Sequence, residues 1–229
     1  MQKKIIALAI ASALTAPAVA MADSGNVSLY GQVNVSVDVA NDGAATASAS
    51  TTGLVNNASR VGVKGSEDLG GGLTASFQAE GALSTAGGAL SFDRNTYLGL
   101  SSADMGTVLV GRHDTPYKIA TRSLDLFIDT AADTTSADNN LRLNDVLAYI
   151  SPAFSGVTVA AAHVFSSDAS TAATKGSAFS LAGMYTQGGI YAALATQTAK
   201  GGTAGSIGGV TLATGTELSG TKLAGGYTM

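Results

Sequence analysis

Residues 59–83 read SRVGVKGSEDLGGGLTASFQAEGAL. Val61 and Val63 alternate with Arg60, Gly62 and Lys64. Glu67-Asp68-Leu69-Gly70-Gly71-Gly72 then supplies turn chemistry, and Leu73, Ala75, Phe77 and Ala79 alternate with Thr74, Ser76, Gln78 and Glu80. A period of two with one apolar and one polar face predicts a hairpin of two antiparallel strands. The polar face carries Arg60, Lys64 and Glu80, charges that suit a wet interior better than a packed core. Apolar-out and charged-in is the pattern of a transmembrane barrel wall.

The same period extends outward. From 26 to 40, Val27, Leu29, Gly31, Val33, Val35, Val37 and Val39 share one parity, and Asn26, Ser28, Tyr30, Gln32, Asn34, Ser36 and Asp38 the other. Residues 41–58 have no periodicity and read as a long polar loop. Further strands are predicted at 92–100, 107–113, 142–150, 157–165, 177–186, 190–198 and 217–229, about ten in all. In the run 92–100 the parity is mixed, because Arg94 shares a side with Thr96, Leu98 and Leu100. Short turns fall at 67–72, 102–106, 152–156 and 187–189, and long loops at 41–58, 84–91, 114–141, 166–176 and 200–216. They alternate strictly, as in outer-membrane barrels with short turns at one end and long loops at the other. A soluble β-sandwich has no reason to sort its loops in this way.

Residues 114–141 stand apart. The segment holds a Thr115-Pro116 breaker and gathers Asp114, Lys118, Arg122, Asp125, Asp129, Asp133 and Asp138. Connections of this length are functional or disordered. Lys118 and Arg122 share a face if 117–126 contains a short helix. Asp133 and Asp138 read as solvated loop charges.

The chain opens with a signal-peptide pattern: basic Lys3 and Lys4, an apolar stretch from Ile5 to Leu14, and small residues that place cleavage after Ala20 or Ala22, with 1–22 preferred. Its loss leaves ten basic against 16 acidic residues, a net charge of −6 that argues against nucleic acid as a partner. No cysteine is present, which excludes disulfides and thiol chemistry. His113 and His163 are far apart in sequence and suggest no metal site. No mature segment offers the run of about 20 apolar residues that a spanning helix needs, so any membrane crossing is by closed strands.

Several segments together resemble the general trimeric porins of Gram-negative outer membranes, in their β-proteobacterial branch. They are Leu29-Tyr30-Gly31, Ser59-Arg60-x-Gly62-x-Lys64-Gly65, Gln78-x-Glu80, Tyr97-x-Gly99-Leu100, Gly106-x-Val108-x-x-Gly111-Arg112 and Tyr149-x-Ser151-Pro152-x-Phe154-Ser155-Gly156. The resemblance implies an all-β fold, an antiparallel transmembrane β-barrel of the 16-stranded porin type, assembled as a homotrimer among outer-membrane lipid and lipopolysaccharide. It implies that residues 114–141 fold into the lumen and narrow it. On this reading Arg60, Arg94 and Arg142, with Lys64, form a basic wall, Asp125 and Asp129 are the facing acids, and Glu80 is a further pore-lining acid. Gln32 stands where some relatives carry a lysine, and Leu126-Phe127-Ile128 replaces a proline-rich tip. The chain ends in Tyr227-Thr228-Met229 rather than in an aromatic residue, and with about ten strands it reads as an N-terminal piece, a partial barrel over 23–229.

The function implied is passive diffusion of small hydrophilic solutes and ions, with no cofactor, no metal and no catalytic residue. Two alternatives remain at this point. A barrel enzyme would need a rim nucleophile beside His, and no G-x-S-x-G is present. A surface adhesin suits the Ala/Ser/Thr/Gly-rich loops but not the sorted loop lengths or the charged inner faces.

Overall fold

The computed structural model describes residues 26–41, 50–85, 87–130, 133, 140–165, 176–202, 206–207 and 210–229. The signal-peptide segment, Asp138, residues 42–49 of the loop expected at 41–58 and residues 166–175 of that expected at 166–176 lie outside them. In chain order the elements are β1 (Val27–Gln32), β2 (Val35–Asn41), β3 (Ser50–Asn56), β4 (Arg60–Gly70), β5 (Leu73–Leu83), β6 (Leu90–Ser91), β7 (Thr96–Ser102), β8 (Gly106–Asp114) and α1 (Pro116–Arg122). They continue as β9 (Arg142–Ile150), β10 (Val157–Val164), β11 (Ser177–Gln187), β12 (Ile190–Lys200), β13 (Ser206–Ile207), β14 (Val210–Thr211) and β15 (Glu217–Tyr227).

The main sheet is an antiparallel meander in the order β1-β4-β5-β7-β8-β9-β10-β11-β12-β15, with β6 flanking β5. Its ten successive strands match the number expected from the period-two runs. Among the described residues the sheet is open, with β1 and β15 at its edges. The tight connections lie at one end. Gly70, Gly71 and Gly72 all adopt positive φ there, which explains why the first hairpin turns on three glycines.

The faces are inverted relative to a soluble protein. Leu29, Leu98 and Leu194 point outward and are 55%, 64% and 57% exposed, whereas inward Ala148 and Ala195 are 4% and 1% exposed. From β9 to β12 the inner face is built of small residues: Ala148, Ala162, Ala178, Ser180, Ala182, Ala193 and Ala195 are all buried. A uniformly charged interior does not hold here, because α1 covers this half of the wall.

Three strand expectations are corrected. The run 26–40 is not one strand. It breaks at Val33-Asn34, and β2 pairs with β3 in a separate hairpin. Residues 50–56, expected as loop, are therefore β3, stabilised by this pairing rather than by their own periodicity. At the junction with β4, Ala58 adopts φ +54 and Ser59 Oγ accepts from Asn34 N at 2.9 Å. Third, the strand expected at 92–100 runs over Thr96–Ser102. Arg94 lies in a bend before it, so strand parity does not govern its direction. A register shift between Gly111 and His113 brings Asp114 opposite Arg142 where β8 and β9 part.

Candidate functional site

The segment between β8 and β9 starts with a built helix. Thr115 caps it, its Oγ1 accepting from Lys118 N at 3.4 Å, and Pro116 occupies the first turn, where no N–H is needed. Thr115 N donates to Leu141 O at 3.1 Å and closes the base of the loop. The helix spans 116–122, shorter than the 117–126 considered from the spacing, because Ser123 ends it. Tyr117 and Ala120 pack on Ala182, Ala193 and Ala195. Tyr117 N donates to Ser180 Oγ at 2.9 Å, and Tyr191 Oη donates to Ala120 O at 2.7 Å. Alanine on β11 and β12 is what lets a helix lie this close to the wall.

Beyond α1 the chain turns across the sheet. Leu124 rests against Gly226 on β15; a Cβ there would lie 2.7 Å from Leu124 Cδ2. Five residues later Asp129 Oδ2 meets Arg60 Nη1 of β4 at 2.8 Å. Five residues reach at most about 18 Å. Strands β4 and β15, near opposite ends of the strand order, must therefore approach each other, so the sheet curls and this segment bridges its concave side.

Two charged clusters line the concavity. In one, the Asp114 carboxylate is 5% exposed and meets Lys118 Nζ at 2.9 Å, Arg142 Nε at 2.9 Å and Arg122 Nη1 at 3.5 Å. Asn95 completes it, its Oδ1 accepting from Arg142 Nε at 2.9 Å and from Asp114 N at 3.2 Å. Burial holds the Lys118 ammonium below its ordinary value, although Asp114 beside it pulls the other way. One acid serving three cations leaves local positive charge. In the other cluster Glu80 pairs with Arg94 Nε and accepts from Tyr30 Oη at 2.8 Å. Tyr30 lies over Gly62, where a Cβ would be 2.5 Å from Tyr30 Cζ.

These groups surround two spaces. One, of about 380 Å³, is lined by Arg94, Lys118, Arg122, Arg142, Asp125 and Asp129 among others. The other, of about 470 Å³, is lined by Tyr30, Arg60, Glu80, Arg94, Asp114 and Arg142 among others. Opposed fixed charges around such a space orient water and polar solutes.

A profile of the Gram-negative porin family matches residues 7–229. The chain belongs to that family. It is 36% identical over 180 residues to outer membrane porin protein 32 of Delftia acidovorans, an alignment covering 72% of this chain and 50% of the relative. It is 42% identical over 118 residues to major outer membrane protein P.IB of Neisseria meningitidis serogroup B, covering 49% and 34% of the two chains. Among solved structures, the anion-selective porin from Comamonas acidovorans superposes with a TM-score of 0.72 at 28% identity, over 89% of this chain and 64% of the other. This porin chain therefore spans about half the length of the curated relative it matches over most of its own residues.

Of the residues singled out from the sequence, Arg60, Arg94, Arg142, Glu80, Asp125 and Asp129 come together around the two spaces. Lys64 stands apart, exposed, with Nζ 5.4 Å from the Tyr30 ring centroid. The two loop acids are not equivalent. Asp129 pairs with the wall, whereas Asp125 Oδ1 accepts from Phe127 N at 2.9 Å within the loop and its Oδ2 is buried without a hydrogen-bond partner. Asp133 is not simply solvated, because its Oδ2 accepts from Asp129 N at 2.9 Å. Sequence reading passed over Asp114, Lys118 and Arg122 as a network. Their i, i+4, i+8 spacing across the Thr115-Pro116 cap was the available signal. It also passed over Asn95 and Lys222, which no local pattern marks.

Proposed function

We propose that this porin forms a water-filled channel across the Gram-negative outer membrane for passive diffusion of small hydrophilic solutes and ions. The observation that carries the reading is the Arg60–Asp129 ion pair, which ties the segment after β8 to the far wall across the concave face. Arg60, Arg94 and Arg142 supply the basic wall, Lys64 adds a cation farther along the same face of β4, Asp125 and Asp129 are the facing acids, and Glu80 lines the pore beside Arg94. Such a transverse field orients water and dipolar solutes and disfavours apolar ones. No bond is made or broken, so neither a catalytic group nor a cofactor is required.

The outward leucines and valines face hydrocarbon and the acyl chains of lipopolysaccharide. Residues 1–22 act as the export signal, and 23–229 form the barrel portion. The chain works as a homotrimer, as the family resemblance implies, and takes no nucleic acid. The names of the Delftia and Comamonas relatives support a channel. The test is planar-bilayer recording of the protein purified from outer membranes. Stepwise conductance increments arriving in threes are expected; a protein that inserts but never conducts would sink the reading.

A further inference from the structure

One ammonium on β15 fastens both limbs of the segment between β8 and β9. Lys222 Nζ donates to Thr121 Oγ1 at 2.6 Å, on the outgoing limb, and to Asn140 Oδ1 at 2.8 Å, on the returning limb. It also lies 4.0 Å from the centroid of the Tyr117 ring. A primary ammonium can donate to both oxygens at once and is attracted to the ring face. The site is built for this reach. Position 222 is paired with Ala195 on the small-residue inner wall, and Gly220 leaves room for the Tyr117 hydroxyl, which is 2.9 Å from where a Cβ would sit. Ser180 and Tyr191, by contrast, hold only α1.

We propose that Lys222 is the positioning residue that sets how far this segment stands from the wall, and so the width of the bore. The idea rests on the channel reading for its functional consequence. Lys222 lines neither of the two charged spaces, although Thr121 and Asn140 both border the first. Its ammonium therefore touches the loop from behind and borders neither space.

The experiment compares wild type, Lys222→Met and Lys222→Arg in planar bilayers, with Arg122→Gln as a control that faces both spaces. Loss of charge-assisted hydrogen bonds in Lys222→Met should lengthen time in reduced-conductance substates about tenfold. The zero-current potential in a salt gradient should stay put, and Lys222→Arg should restore quiet openings. Arg122→Gln should do the reverse, moving the potential and leaving the openings quiet. A quiet Lys222→Met channel, or one with a shifted potential and no added substates, overturns the proposal. Should Lys222→Met fail to assemble, Asn140→Leu severs one limb and keeps the ammonium; it should show the same substates, and quiet openings would count equally against the idea.

A readout independent of conduction separates this inference from the channel reading. The chain has no cysteine, so Leu124→Cys is a single thiol packed against β15. Its labelling by a methanethiosulfonate should quicken about tenfold when Lys222→Met is added, by the same loss of charge-assisted bonds. Unchanged labelling overturns the proposal even if no current is seen.

Discussion

Arg60 Nη1 on β4 and Asp129 Oδ2 on the loop lie 2.8 Å apart, with side chains 19% and 16% exposed. The pair is 69 residues apart in sequence and joins the wall to the segment that bridges it. Asp129 holds this place at φ +57, a left-handed conformation that aspartate tolerates better than most residues.

Replacing Asp129 with Asn removes the loop's charge at this contact and leaves Arg60 without its counter-ion. The zero-current potential in a salt gradient should move toward anions. Asp125→Asn should act in the same direction but more weakly, since Asp125 faces no wall cation within ion-pair distance among the described residues. Unchanged potentials in both variants would remove these acids from the ion path.

Asp114→Asn leaves Lys118, Arg122 and Arg142 around a neutral amide. Breaking a buried ion pair from one side costs about 3–5 kcal/mol, because the remaining charges stay desolvated. Thermal unfolding in detergent should occur at clearly lower temperature than for Asp129→Asn, whose pair is more exposed. Equal melting of the two variants would contradict this ranking.

Gly62→Ala drives a methyl group into the Tyr30 ring. Overpacking of this kind costs about 1–3 kcal/mol and should push the Tyr30 hydroxyl off Glu80. Tyr30→Ala in the same chain should relieve the clash, so the two losses in stability should not add. Additive losses would mean that the ring does not occupy this place.

Lys118 carries the pH prediction. Burial lowers its folded value below the ordinary 10.5, so between the two values the unfolded chain binds the extra proton. Stability from this group is therefore full above pH 10.5 and falls away as pH drops through the lower folded value. In the channel, Lys118 sheds its charge at lower pH than a free lysine. Permeability to anions relative to cations should decline through that alkaline window in wild type and hold steady in Lys118→Arg.

Strand number and the sorting of short and long connections were legible because period two and glycine turns are local signals. Arg60, Glu80 and Gly62 could be placed on one face for the same reason. What could not be read depends on breaks in that period. Positive φ at Ala58 and the register shift around Asp145 interrupt the alternation, and the bend at Arg94 turns its side chain to Glu80 irrespective of parity. β2 continues the alternation of β1, but its partner β3 comes from a stretch with no alternation of its own. Lys222 and Asn95 act through partners more than 80 and about 20 residues away in sequence, 82 for Lys222–Asn140 and 19 for Asn95–Asp114.

The outward rows of valine and leucine on this wall never form a continuous greasy stretch in the chain itself. No described strand exceeds 11 residues, and polar residues or turns interrupt the apolar ones, so the unfolded polypeptide offers no run of about 20 apolar residues to machinery that traps such segments as helices. Its affinity for lipid is latent and emerges only when strands pair and gather alternate side chains on one side. A chain of this kind can be threaded intact through one bilayer and still embed itself in another.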